Sequence, residues 1–541
     1  MTGAGRALDA AQSVNLCKGC SLMEARDGRG RVEMAFVGGD RPQKLPSQVP
    51  AALARRLKGL KERGPTLRWA IVATMGIVLG ICSIALAYLP ARWRALSVAA
   101  VLCPFLAMIL GDARRLFLAI VILDIPFQVD IHLGFRPEIA ELGGISGLGI
   151  SLTTISLVVL YALWLIDVLT KSTQPPFRPS LRTTLPLGLY VGFAALSVAV
   201  APDATLSIFE VFLLLQTFLL YLYIVATVRT REDLLFIVLM LLLGLVAESL
   251  IMIWVYLTGQ DISLAGISTR VEPQFATGLH ARPGGTIQSP NVAAGYLCFL
   301  LAPALSLLLV RLGRFYKLLA LLGFGLGWVA LIATLSRGGW VAFAVSITIL
   351  CLGAWRRGRL SPGVPVSISL AIVLAFLLFR ETIQTRLFAY DLGAAYGRIP
   401  LMKLAFQMIR EHPLLGVGAN SFGAVINLYL PPELSQEWLY AVHNKYLLVW
   451  AETGIGGLLA FVAFLVGTVR CGLLCWRAND PFLSPLALGL TAGIVGEIAH
   501  MFVEIFNGRA PVQLLWVIAA LVTVMVDMGR GRFEAKTIEV E

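Results

Sequence analysis

Residues 232–258 read EDLLFIVLMLLLGLVAESLIMIWVYLT, and between Asp233 and Glu248 no polar side chain interrupts the run. A helix that crosses a bilayer needs about 20 mainly apolar residues, because every backbone N–H and C=O must find its partner inside the segment once water is gone. This stretch meets that requirement, and the rest of the chain repeats it. Of 541 residues 58% are hydrophobic and 14% charged, with a mean hydropathy of +0.81, well outside the range of soluble globular domains. The same measure gives about fourteen candidate spans, near 67–89, 93–111, 115–131, 147–170, 183–200, 205–228, 232–258, 290–310, 315–335, 338–355, 362–379, 442–470, 483–505 and 511–528. Asp124 and Pro126 interrupt the third. The expected fold is an all-α polytopic membrane protein with about twelve to fourteen transmembrane helices.

Charge orients these spans, since cytoplasmic loops retain Lys and Arg while short exported loops carry few. Arg229 and Arg231 precede the quoted stretch, and Arg114/Arg115, Lys171/Arg178/Arg182, Arg311/Arg314/Lys317, Arg356/Arg357/Arg359, Arg470/Arg477 and Arg530/Arg532/Lys536 fall on the same side. That side is read as cytoplasmic, with both termini. The opposite, periplasmic side receives the connections near 201–204, 259–289, 336–337, 380–441 and 506–510. The net charge of +12 is thereby explained without a nucleic-acid partner.

Residues 1–66 are polar and lack an apolar core before residue 67, so they are not a cleavable signal peptide. They read as a mostly disordered basic cytoplasmic extension, followed by N-terminal transmembrane helices over 67–258 and a second transmembrane domain over 259–541. Cys17 and Cys20 have the spacing of half a zinc ribbon, and half a ribbon is not a site. None of the eight cysteines lies in an exported loop, so no disulfide is expected.

The loop 380–441 is far longer than its neighbours, and long ordered loops are usually functional. Within it, GRIPLMKLAFQMIREHPLLGVG (397–418) has helical periodicity. Ile399, Met402, Phe406 and Ile409 form an apolar face, with Lys403, Gln407 and Arg410 as a polar stripe. An amphipathic helix lying on the bilayer is expected, beginning near Arg398 and ending by His412, where Pro413 forbids continuation.

Four outward-facing features carry chemistry: Arg282 and Asn291 in HARPGGTIQSPNVAAGYL (280–297), Arg337 in LSRGGW (335–340), Arg398, and His443-Asn444 in AVHNKYLLVWAETGIGG (441–457). One arginine at a helix start can simply snorkel to headgroups. Several on one side suit a phosphate group, which guanidinium binds bidentately. A neutral imidazole beside them can accept a proton near neutral pH, although a histidine there can equally be a helix cap. Together these groups suit displacement of a diphosphate leaving group from a sugar. No Asp-x-Asp and no close carboxylate pair occurs in the outer loops, so a metal-independent reaction without cofactor is expected. Acidic groups within spans mark cavities or paired sites. Glu210, Glu248, Glu497 and Glu504 fall in outer halves, and Glu497, His500 and Glu504 share one face of EIAHMFVE (497–504) in a supporting position.

On the RPGGTIQSPN loop, the SRGG turn, the GRxxLMxxAxxMIxxHPLLGVG helix and the HN pair, residues 280–460 resemble the O-antigen ligase and polymerase superfamily of bacterial envelope glycosyltransferases. The spacing from His443-Asn444 to Gly454 and Gly457 fits that family's signature. Leu458 and Ala460 stand where protein-glycosylating relatives continue Thr-x-His, which speaks against transfer to protein, and Met402 replaces a usual Trp. The resemblance implies an enzyme of the bacterial inner membrane that takes a glycan from undecaprenyl diphosphate at the periplasmic face and moves it to lipid A-core or to another growing glycan. It further implies Arg337 and Arg398 as diphosphate-binding residues and His443 as base, with Arg282, Asn291, Asn444, Lys403, Glu497 and His500 around the substrate. The alternative is a transporter or channel of the same superfamily. Against it stands the lack of an internal repeat or of matched broken helices.

Overall fold

The computed structural model describes residues 22–26, 32–36, 112–170, 181–264, 267–272, 282–358, 398–430, 440–478 and 480–529, with isolated positions between 360 and 384. The expected spans 67–89 and 93–111, nearly all of 362–379, and the Cys17/Cys20 pair lie outside these. The chain divides into two units, Met1–Gly80 and Ile81–Glu541. In the first, β1 (Leu22–Arg26) and β2 (Val32–Phe36) form an antiparallel hairpin with Leu22 opposite Phe36.

The second unit is a helical membrane bundle, and nine helices among the described residues are long and apolar enough to cross a bilayer. Its elements begin with α1 (Ala113–Phe127), β3 (Asp130–Leu133), α2 (Pro137–Glu141), β4 (Leu148–Ser151) and α3 (Leu152–Thr170). Then come α4 (Thr184–Ser197), α5 (Ala204–Thr227), α6 (Arg231–Thr258) and a hairpin of β7 (Val271–Glu272) with β8 (Arg282–Pro283), which follows the short pair β5 (Ser263–Leu264) and β6 (Ile267–Ser268). The chain continues through α7 (Pro290–Leu307), α8 (Arg314–Ala333), α9 (Arg337–Arg356), α10 (Arg398–Glu411), α11 (Phe422–Tyr429), α12 (Lys445–Arg477), α13 (Leu483–His500) and α14 (Arg509–Gly529).

Helix α6 is the quoted stretch, and its ends show why it starts and stops there. Thr230 and Asp233 form a capping box, and Gly259 closes the helix in the left-handed conformation at φ 66°. At 28 residues it rises about 42 Å. Helices α7, α13 and α14 are buried nearly all round, whereas α3 and α8 present most of their surface outward. Close packing at the centre depends on small residues, as expected between membrane helices. A Cβ on Gly493 would meet the Phe299 carbonyl of α7, and one on Gly496 would meet Ser346 and the Ala342 carbonyl of α9.

Several expected spans are shorter than the sequence implies: 147–170 is helical only from Leu152, and 183–200 is α-helical only over Thr184–Ser197. The segment 115–131 becomes the 15-residue α1, after which the chain turns into β3, paired antiparallel with β4 (His132 opposite Gly149). Asp124 explains the ending, because its carboxylate accepts from the N–H of Val129 (3.0 Å) and of Thr153 (3.1 Å), groups lying beyond the helix. The span drawn to 505 ends at His500, so Glu504 returns through a turn and does not share a helix face with Glu497 and His500.

Helix α12 is broken at Gly454, whose φ 71° and ψ −174° belong to a region open essentially only to glycine. The break frees two carbonyls for the preceding segment. Val417 N–H donates to Ala451 O (2.8 Å) and Gly418 N–H to Glu452 O (3.0 Å), while Ile455 N–H donates to Pro413 O (3.0 Å). Segment 413–418 thereby docks on α12 by backbone bonds and fixes where α10 lies. Helix α10 spans Arg398–Glu411, close to expectation, but its buried face is Leu401, Leu404, Ala405, Met408 and Ile409. Ile399 (49% exposed) and Phe406 (46%) point away from the protein. The helix therefore has a protein-packed face in addition to an outward apolar edge, because positions 401, 404, 405 and 408 are the true i, i+3, i+4, i+7 set.

Candidate active site

A cavity of about 1090 Å³ lies at one end of the bundle. Ser289 and Asn291, Ser336 and Arg337, Arg398 and Pro400, His443, and Gly508 and Arg509 all line it. These residues stand at the N-termini of α7, α9, α10, α12 and α14. A helix N-terminus presents unpaired N–H groups and the positive end of the macrodipole, so several converging on one space favour an anion beside them, while the carboxylates of Asp130, Glu141 and Glu504 line the same cavity elsewhere.

Arg282 is aimed by specific contacts. Arg282 Nε donates to the Thr334 carbonyl (2.8 Å) and its Nη2 to Asn291 Oδ1 (2.7 Å). It thus ties the loop before α7 to the turn between α8 and α9, in which Leu335 takes φ 54°. Glu248 anchors the same loop from α6, accepting from Thr286 N (2.9 Å) and Thr286 Oγ1 (2.5 Å). Ser336 caps α9, its Oγ accepting from Gly339 N–H, which places Arg337 as the first helical residue. The two glycines of the SRGG turn have separate reasons. A Cβ on Gly338 would press on the His500 ring and Val503, and one on Gly339 on Ala294 of α7.

His443 lies in the connection before α12, outside the spanning helix, with its ring 5.3 Å from that of Tyr440. Among the described residues its Nδ1 is enclosed without a hydrogen-bond partner. Burial first, and then the positive charge of Arg398, hold the imidazole down at about 4, with the Ala441 backbone as a weaker opposing influence. It is therefore neutral at pH 7. Asn444 explains the other half of the HN pair. Its Oδ1 accepts from Leu447 N–H (3.0 Å) as the helix cap, and its Nδ2 donates to the Phe502 carbonyl (3.2 Å). Lys445 N–H donates to Met501 O (2.9 Å) beside it. The start of α12 is thereby pinned to the turn after α13, with His443 held over the cavity.

Of the residues singled out from sequence, Arg282, Asn291, Arg337, Arg398, His443 and His500 share the cavity wall. Three do not line it. Asn444 serves as cap and brace, Lys403 is exposed on α10, and Glu497 (1% exposed) lies behind His500, bonding His500 Nδ1 at 3.1 Å. Gly295 of α7 leaves the space this pair occupies. Sequence reasoning passed over Arg270, Tyr440, Asp130, His132 and Arg509, which also line the cavity. Arg509 had a readable signal, since it opens an apolar helix as Arg337 does. Asp130 was hidden by assigning 115–131 to a span, and His132 lies directly after it.

Residues 320–462 match the O-antigen ligase family model. The matched segment runs from α8 into α12 and contains Arg337, Arg398 and His443, so it supplies part of the cavity wall. The match supports a glycan-transferring role for a membrane protein. No curated protein matches the chain.

Proposed function

We propose that the protein transfers a glycan from undecaprenyl diphosphate to an acceptor hydroxyl at the periplasmic face of the bacterial inner membrane. The observation that carries this reading is the meeting of Arg337, Arg398 and His443 in one cavity at converging helix N-termini. Arg337 and Arg398 hold the donor diphosphate and stabilise the charge that grows on it as the bond to the sugar breaks. Arg282, engaged with Thr334 and Asn291, keeps the Arg337 turn in place.

His443 acts as the base. The acceptor oxygen attacks the anomeric carbon while its proton passes to the imidazole; the bond from that carbon to the phosphate oxygen breaks, and its electron pair leaves with undecaprenyl diphosphate. With Nδ1 enclosed, Nε2 is the nitrogen that meets the substrate. The imidazolium formed has Arg398 nearby, so the negative diphosphate is the charge that stabilises it. The acceptor is lipid A-core or a second lipid-linked glycan. No step of this chemistry calls on a cofactor.

Reconstituted protein incubated with undecaprenyl-diphosphate-linked oligosaccharide, with and without lipid A-core, tests the reading by product mass. A capped core identifies a ligase and a ladder of repeats a polymerase. An unchanged donor in both arms overturns the proposal.

A further inference from the structure

The cavity has two walls of different chemistry. One carries Arg337 and Arg398, with the Glu504 carboxylate beside Arg398. The other carries Asp130, His132, Glu141 and Asn507 above the backbone of the glycine-rich segment 143–149. Asp130 and His132 are two apart on β3 and so share a face. Asp130 is held between Arg509 (Nε to Oδ2, 3.4 Å) and His132 (Nδ1 to Oδ1, 3.8 Å). Across the hairpin, Gly149 stands opposite His132, and a Cβ added there would find no atom within 4 Å.

The two walls join beside the base. Ala441 N–H donates to Leu142 O (2.9 Å), and Asn507 Nδ2 to Gly143 O (3.2 Å). The Tyr440 ring packs on Gly143 and also lies against the His443 ring. Carboxylates, an imidazole and an amide beside the open floor at Gly149, edged by an aromatic ring, suit a neutral polyhydroxyl ligand, because carboxylates accept from hydroxyl pairs.

We infer that the wall of Asp130, His132, Glu141 and Asn507 is the acceptor subsite and binds the acceptor sugar by its hydroxyls, delivering one of them to His443. This rests on the transfer reading above. It divides the cavity into a donor half and an acceptor half, with the base at the seam.

The test uses the full-length reconstituted enzyme, undecaprenyl-diphosphate-linked oligosaccharide as donor, and lipid A-core or a second portion of the donor as acceptor, whichever the wild type uses. Gly149→Leu fills the open floor at a position without positive φ, and Asp130→Asn removes the carboxylate. Each raises the acceptor KM by about ten-fold or more while the donor KM stays within about two-fold. Gly149→Leu carries the test if Asp130→Asn fails to fold through loss of its Arg509 partner. An active enzyme whose Gly149→Leu variant keeps the wild-type acceptor KM, or shifts the donor KM instead, overturns the subsite alone. A wild type that transfers nothing to either acceptor overturns the transfer reading, and the subsite with it.

Discussion

The Leu414 carbonyl packs against Gly454 where any other residue would carry its Cβ. That contact joins the end of the α10 segment to the break in α12, and so sets the separation of Arg398 from His443.

Gly454→Ala is accordingly expected to disable the site from a distance. The backbone conformation alone costs a non-glycine residue about 1–3 kcal/mol, and the Leu414 carbonyl must also move. Transfer should fall at least about ten-fold, with a lower unfolding temperature. Gly456→Ala should be milder, because its new methyl meets the side-chain ring of Phe193 rather than backbone. Equal effects from the two substitutions would mean that docking of 413–418 does not position the site.

Arg398→Ala should lower transfer by about 100-fold or more, as loss of a preorganised charge does. Arg398→Lys should recover only part, because lysine lacks the planar fork. Lys403→Ala is the contrast on the same helix, since Lys403 is exposed and off the cavity wall, and it should stay within about two-fold of wild type. Kinetics of the three variants at saturating acceptor check this, and a Lys403→Ala loss as deep as that of Arg398→Ala would contradict the geometry.

Much of this arrangement was legible in the chain. Hydropathy shows the helices because burial in lipid forces long apolar runs, and α6 was readable to within a residue. Arg337 stood out because charge at the start of an apolar helix is costly without purpose, Arg398 because it opens an amphipathic helix in an unusually long loop, and His443 because it stands where that loop meets the next span. Asp130 and His132 were not legible, for the apolar residues around them have the composition of a span while Asp124, bonded to Val129 and Thr153, turns the chain into a hairpin. Nor did sequence show that Asn444 binds the Phe502 carbonyl, a contact between segments 58 residues apart.

The pH dependence follows from the environment of His443. An imidazole held at about 4 is neutral, and competent as a base, at every pH above that value. The kcat/KM of the wild type should therefore fall only as pH drops toward 4, well below the ordinary histidine value of about 6.5. Arg398→Ala removes the second cause of the depression, so the residual activity should lose its acid limb at a higher pH, while burial keeps it below 6.5. Rate profiles between pH 3.5 and 8, at constant ionic strength, test both statements. A wild-type limb centred near 6.5 would assign the proton transfer to another group.

Gly338→Ala probes how Arg337 is seated. Its methyl would stand 2.9 Å from Val503 Cγ2 and 3.0 Å from His500 Cδ2. His500 cannot readily retreat, because Glu497 holds its Nδ1 and the pair is buried against Gly295. The first turn of α9 must then shift, taking Arg337 with it, so the donor KM should rise about ten-fold with less change in acceptor KM. Glu497→Gln should soften the same support, because a neutral amide holds the imidazole less firmly than a carboxylate. Combining the two substitutions should therefore cost less than the product of their separate effects, as expected for residues acting through one contact. Fully multiplicative effects on donor KM would mean that Arg337 is positioned independently of the His500–Glu497 pair.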